Sequence, residues 1–380
     1  MDFKVYQWLS LCFIGIFINV TEGSVCYDEL GCFDTEYPWA SLFRPFSAPE
    51  SPQDVNTTFF FSNRIVNKTF IQTWPTIQIH PEFNSQKPTY FITHGYTSES
   101  DNPWFNNLTE AILFKKDSNV FAVDWALGSS ALYCTAASNT RIVAAEIQRV
   151  IHYLKANASL DLSKVHLFGH SLGAHIMAYV GKNFTNPPIH RITALDPAQP
   201  GFQGKNALVR LNNSDASFID VVHTDGKPFL PFLGLGMTSG VGHVDFFVNG
   251  GKWQPNCLLD GEAFPYKNFW EIPMITITIL YNLATCSHTR APRYMAAAIK
   301  EPCHMWAYRY NATTASFRWS DFIIDDKCDV DSCSMMGLET VHFPARGNFA
   351  FETSGIYPFC LNDTETEQKM RKLWKLKNEY

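Results

Sequence analysis

The chain has 380 residues, enough for one large domain or two small ones at about 150 residues per domain. Charged residues make up 17%, with 30 basic against 36 acidic and a net charge of −6, so binding to a polyanion such as nucleic acid is not favoured. An aromatic content of 15% excludes disorder, collagen and coiled coil.

Residues 1–23 carry Lys4, an apolar run from Trp8 to Val20, and then Thr-Glu-Gly. This is the pattern of a secretory signal peptide cut after Gly23, and the run is too short for a comfortable membrane span. The expected product is exported, with one domain over 24–361 and a charged tail over 362–380. Cys12 lies in the signal, and the other nine cysteines are an odd number spaced unlike a zinc site. The tight Cys26…Cys32 spacing reads as a small disulfide loop. Eight Asn-x-Ser/Thr sequons follow the signal, at Asn56, Asn67, Asn107, Asn157, Asn183, Asn212, Asn311 and Asn362, which suits a glycosylated secreted protein.

Strand-like runs follow at Thr89–Thr93, Val120–Trp125, Lys164–Phe168, Arg191–Leu195, Phe218–Val222 and Val244–Val248, each rich in Val, Ile, Phe or Tyr. Between them lie helical patterns at Thr140–Lys155, apolar at Ile142, Val143, Ile147, Val150, Ile151 and Leu154, and at Leu172–Asn183. Near-continuous apolar strands alternating with helices predict an α/β domain on a mostly parallel sheet. After Val330 the pattern weakens.

Gly169-His170-Ser171-Leu172-Gly173 is a G-x-S-x-G placed between a strand and a helix, as a nucleophile elbow requires. The glycines suit a tight turn, and Ser171 then sits at a helix N-terminus, where backbone N–H groups favour a developing anion. A serine needs an imidazole to take its proton and a carboxylate to hold the imidazole, in the chain order Ser, acid, His. Asp196, in Leu195-Asp196-Pro197-Ala198, stands at a strand end as the acid candidate. For the base the residues leave two candidates, His288 beside Cys286 and His223 after a strand, while His94, His170, His175 and His243 also stand near strand ends or the elbow.

From Cys26 to about Cys360 the chain resembles the pancreatic lipase family and its secreted phospholipase A1 relatives. The resemblance is carried by CYDELGCF at 26–33, THGYTS at 93–98, VDW at 123–125, VHLFGHSLGAH at 165–175, RITALDPAQPGFQG at 191–204, DVVHTDG at 220–226, VGHVDFFVNGG at 241–251 and CSHTRA at 286–291. It implies an α/β-hydrolase fold with a disulfide-closed lid. The implied triad is Ser171, Asp196 and His288, and the implied oxyanion hole is the backbone N–H groups of Tyr96 and Leu172. Cys257 and Cys286 match the cysteines that close the lid, a loop holding Phe269 and Trp270 among many apolar residues and suited to meet lipid.

By the same resemblance Cys328 pairs with Cys333 and Cys303 with Cys360, leaving Cys134 over. The family's calcium loop falls at 207–215, where Ala207 and Asn212 replace two acids. Arg210, through its carbonyl, with Asn212 and Asp215 remain as a weakened ligand set, so no cofactor is required. The family's second domain is not matched, and a colipase partner is not implied. The expected activity is ester hydrolysis of lipids at a lipid/water interface, with triacylglycerol ahead of phospholipid or galactolipid. A non-catalytic lipid carrier is the rival of a different class.

Overall fold

The computed structural model describes residues 23–257, 272–302, 304–309 and 331–361, with Pro231 and residues 272–284 described by backbone alone. The expected signal peptide before residue 23, Phe269 and Trp270 of the lid, and the tail 362–380 lie outside the described residues. β1 (Ser24–Tyr27) and β2 (Gly31–Asp34) form an antiparallel hairpin stapled by the expected Cys26–Cys32 disulfide.

Eleven described strands form one sheet. They are β3 (Thr58–Ser62), β4 (Thr69–Ile71), β5 (Thr89–Thr93), β6 (Asn119–Asp124), β7 (Val165–His170), β8 (Arg191–Leu195), β9 (Phe218–His223), β10 (Val244–Val248), β11 (Trp306–Arg309), β12 (Ser334–Met335) and β13 (Gly347–Phe351). Their order across the sheet is β12-β11-β13-β10-β9-β8-β7-β5-β6-β3-β4. The seven strands from β13 to β6 are parallel, with antiparallel strands at both edges. The six expected strands are the middle of this sheet.

Four longer helices cover it: α1 (Pro103–Lys115), α2 (Tyr133–Ala158), α3 (Leu172–Asn183) and α4 (Ile272–Lys300). α2 and α3 pack together on one face, and α1 and α4 on the other. Because a strand's side chains alternate, Phe91 enters the first core while Tyr90 and Ile92 enter the second. That double burial explains why these strands read as unbroken apolar runs. The layered, mostly parallel arrangement is the α/β-hydrolase architecture that the resemblance implied.

Three expectations are corrected. α2 begins seven residues before the predicted Thr140, because its polar first turns are satisfied from outside the helix. Ser138 Oγ donates to the Ser47 carbonyl (2.7 Å), and Asn139 Nδ2 donates to Glu50 (2.7 Å) and to the Gly128 carbonyl (3.2 Å). The sheet also continues past residue 330, since β13 adds in parallel beside β10. Its sequence, Gly-Asn-Phe-Ala-Phe, is too short and mixed to stand out alone. Cys134, left over by the resemblance, is disulfide-bonded, as are Cys333 and Cys360. Among the described residues no helix is long and apolar enough to cross a membrane.

Candidate active site

The site lies at the C-terminal ends of the parallel strands, where the chain has added β6 on one side of β5 and crosses to add β7 on the other. β7 delivers Ser171 into the turn that opens α3, with φ 57° and ψ −120°. This strained conformation persists because the flanking glycines allow contacts that side chains would block. A Cβ on Gly169 would lie 2.2 Å from the Gly173 carbonyl oxygen, and one on Gly173 2.7 Å from that of His94. The Ser171 N–H donates to the Leu195 carbonyl (3.0 Å), and the Ser171 carbonyl accepts from the Ala198 N–H (3.2 Å). The elbow is thereby tied to the segment that carries the acid.

Asp196 follows β8, and its carboxylate is fully buried. Oδ1 accepts the backbone N–H groups of Thr224 (2.9 Å) and Asp225 (3.2 Å), while Oδ2 stands 2.6 Å from His288 Nδ1. Ser171 and His288 line the same cavity. The structure therefore brings the three expected residues together.

The rival histidines are committed elsewhere. His223 Nε2 lies 2.9 Å from Asp245 Oδ1, and its Nδ1 lies 3.0 Å from the Met237 carbonyl. His175 is stacked on Phe202 between the Ala198 carbonyl and the Leu211 N–H, and burial drives its pKa down to about 3. His243 Nδ1 accepts the Ile219 N–H at 3.0 Å.

His288 stands in α4, one residue pair past the Cys257–Cys286 disulfide expected to close the lid. Cys286 belongs to the helix, so α4 already accounts for the second half of the enclosed segment. Pro292, one turn further on, has no N–H to donate to the His288 carbonyl. That carbonyl instead accepts His170 Nε2–H at 3.1 Å. Burial lowers the His170 pKa well below the ordinary value, and the neighbouring His288 adds to the effect.

The turn after β5 carries Gly95 and Tyr96 to the elbow. A Cβ on Gly95 would sit 2.5 Å from Ser171 Cβ, so only glycine permits this approach. Leu172 is the first residue of α3, and Tyr96 lines the cavity while its ring meets Tyr133 edge-on at 5.2 Å. The turn is braced from below by residues whose role the sequence reading missed. Trp125 Nε1–H donates to the His94 carbonyl (3.0 Å), and the Trp125 N–H donates to His94 Nε2 (3.1 Å). Burial would raise the Asp124 pKa, but the nearby His94 ring and the hydrogen bond from the Ser100 N–H (2.6 Å) carry it far below the ordinary value. The VDW stretch held the signal for this brace.

Gln254, 2% exposed, was also missed. Its Nε2 donates to the Thr224 and Val248 carbonyls (2.9 Å each), and its Oε1 accepts from Tyr294 of α4 (3.1 Å). It locks the donors of Asp196 to the helix bearing His288, and no motif marks it. Gln199 likewise clamps the loop after β9, donating from Nε2 to the Lys227 carbonyl (2.8 Å) and the Gly236 carbonyl (2.7 Å).

The cavity of about 260 Å³ is walled mainly by Trp104, Tyr133, Phe229, Leu233 and Leu235 beside Ser171 and His288. Around it the loop after β9 exposes Leu230 (74%) and Phe232 (47%).

The side chains of the expected calcium ligands are engaged with other protein groups. Asp215 is paired with the Lys182 ammonium through Oδ1 and accepts the Asn212 N–H through Oδ2 (2.8 Å). Asn212 Nδ2 donates to Ser214 Oγ (2.8 Å), and the Arg210 guanidinium donates to the Lys205 and Leu211 carbonyls (2.8 Å each). With an ammonium already on the single acid of the set, a divalent cation would meet charge repulsion and too few anions.

The profile of the family described as Lipase matches residues 23–354. Pancreatic triacylglycerol lipase of Myocastor coypus is 37% identical over 339 residues, covering 88% of this chain and 72% of that protein. The protein of the same name from Homo sapiens is 35% identical over 350 residues, covering 90% and 72%. Pancreatic lipase-related protein 2 of Rattus norvegicus is 35% identical over 347 residues, covering 89% and 72%. A match of this extent, with the elbow serine and an acid-paired imidazole lining one apolar cavity, has a plain consequence: the chain belongs to the lipase family of carboxylic ester hydrolases.

Proposed function

We propose that this protein is a secreted lipase that hydrolyses lipid esters, triacylglycerol foremost, at lipid/water interfaces through an acyl-enzyme. His288 Nε2 takes the Ser171 proton as Ser171 Oγ attacks the ester carbonyl. Asp196, held by two backbone N–H groups, fixes the imidazole tautomer and stabilises the imidazolium that forms. The oxyanion is received by the N–H groups of Tyr96 and Leu172, each such donor being worth about 3–4 kcal/mol in the transition state. The imidazolium protonates the departing alcohol, and water activated by His288 then releases the fatty acid.

The observation that carries this reading is the 2.6 Å Asp196–His288 contact beside Ser171 in an apolar cavity. A lipid carrier has no use for a buried, aligned acid–imidazole pair. The names of the relatives support triacylglycerol as substrate, and exposed Leu230 and Phe232 at the cavity rim suit contact with a lipid surface. The segment holding Phe269 and Trp270 acts in this reading as the lid.

The test is hydrolysis of emulsified triolein beside phosphatidylcholine and galactolipid vesicles, by the wild type and Ser171→Ala. Triolein turnover lost in a folded Ser171→Ala protein supports the reading. Preferred release of lysolipid would move the substrate to phospholipid, and turnover unaffected by the substitution would refute the mechanism. Within the same assay, Phe269→Ser/Trp270→Ser should lower activity on emulsion and leave a soluble short-chain ester nearly untouched.

A further inference from the structure

Beside the acid of the site lies a second, buried pair of opposite charges that the mechanism above does not use. Asp225 stands in the loop after β9, two residues past His223, and its own N–H donates to Asp196 Oδ1. A carboxylate oxygen of Asp225, one of Asp196 and a nitrogen of His288 all lie within 4.8 Å of one another. Asp225 Oδ2 accepts the Leu235 N–H at 2.7 Å, and Oδ1 is paired with the Lys227 ammonium. Lys227 is 2% exposed, with its ammonium 3.9 Å from the centre of the Trp253 ring. A buried lysine is uncommon and requires partners that hold its charge, and here an anion and an aromatic face supply them.

Two carboxylates facing one imidazole would stabilise the imidazolium twice over. A base held protonated near neutral pH cannot take the proton of Ser171. Resting on the function proposed above, we infer that Lys227 is a positioning residue of the site: its ammonium cancels the Asp225 carboxylate, so that His288 faces one net negative charge, that of Asp196. Burial pushes the Asp225 carboxyl up, and the adjacent Lys227 draws it back toward ionisation. Among the described residues, the other groups facing His288 do not duplicate this effect. His170, packed 4.6 Å from it between ring centres, is kept neutral by burial. Arg290, two residues on in α4, is turned to the Pro255 carbonyl (3.2 Å).

The net charge presented to His288 by Asp196, Asp225 and Lys227 is therefore −1 in the wild type. It becomes 0 in Asp225→Asn and returns to −1 in Asp225→Asn/Lys227→Met. The test is the pH dependence of kcat/KM on p-nitrophenyl butyrate, a soluble ester, for the three proteins, with thermal melts as a check of folding. The acidic limb should move down by about one pH unit in Asp225→Asn, as expected when a charge within a few ångströms is removed, and return to the wild-type position in the double variant. A limb that does not move in Asp225→Asn, or that the second substitution fails to restore, overturns the proposal. Should Asp225→Asn not fold, the double variant decides alone, since a limb displaced by a full pH unit contradicts the cancellation. Absence of hydrolysis by the wild type would refute the proposed function, whereas the position of the limb in active protein bears on Lys227.

Discussion

Pro292 stands one helical turn after His288 and leaves the His288 carbonyl without its helical donor; His170 Nε2–H fills that place at 3.1 Å. The residue before the elbow serine thus grips the backbone of the residue expected to act as its base. Replacing His170 by Phe leaves a buried carbonyl unpaired, a loss of about 1–3 kcal/mol. Adding Pro292→Ala should recover about 1 kcal/mol of it, because the alanine N–H can then close the helical bond. Urea unfolding of the two single variants and the double reads this coupling. Strict additivity would show that the His170 bond does not support the helix.

The His94–Trp125 brace leads to a second expectation. The rings lie 5.5 Å apart and 10° from parallel, with the indole N–H on the carbonyl just before Gly95. Trp125→Phe keeps the stack and removes the hydrogen bond. The Tyr96 N–H, a proposed oxyanion donor, then loses its fixed aim, so kcat should fall about tenfold with KM little changed, the pattern of an interaction made in the transition state. Steady-state kinetics on a soluble ester check the split.

Stability should depend on pH through His175. In the unfolded chain its imidazole binds a proton near pH 6.5, while in the folded protein burial delays this to about pH 3. Between those values the unfolded state holds more protons. The contribution is therefore complete above pH 6.5 and is lost as the pH falls toward 3, by up to about 1.4 kcal/mol per pH unit. His175→Gln retains a donor and an acceptor without that titration. Its stability measured by urea unfolding from pH 7 to pH 4 should fall less steeply than the wild type's.

Removal of calcium should have no effect. The Lys182 ammonium sits on Asp215, the single acid of the weakened ligand set at 207–215. Thermal melts and ester hydrolysis in excess EDTA should match those in millimolar calcium. A melting temperature raised by calcium and lowered by EDTA would contradict the assignment.

The central strands, the strand–turn–helix at Ser171 and the carboxylate at the end of β8 were legible because each rests on a local rule. A strand buried on both faces must be apolar throughout, a tight strand-to-helix turn around serine needs glycine on either side, and Pro197 marks where β8 stops. Which imidazole meets the Asp196 carboxylate was not legible from the residues alone. His223 and His288 both stood in plausible places, 27 and 92 residues after Asp196, and nothing along the chain says which imidazole reaches the carboxylate; only the resemblance to known lipases distinguished them. The folded chain decides it by burying His223 against Asp245 while α4 packs on α1 and brings His288 to Asp196. The same holds for Gln254, Lys227 and the Lys182–Asp215 pair. Hydrogen bonds and ion pairs between segments far apart in sequence have no period and no motif, and they exist only once the sheet has set its loops side by side.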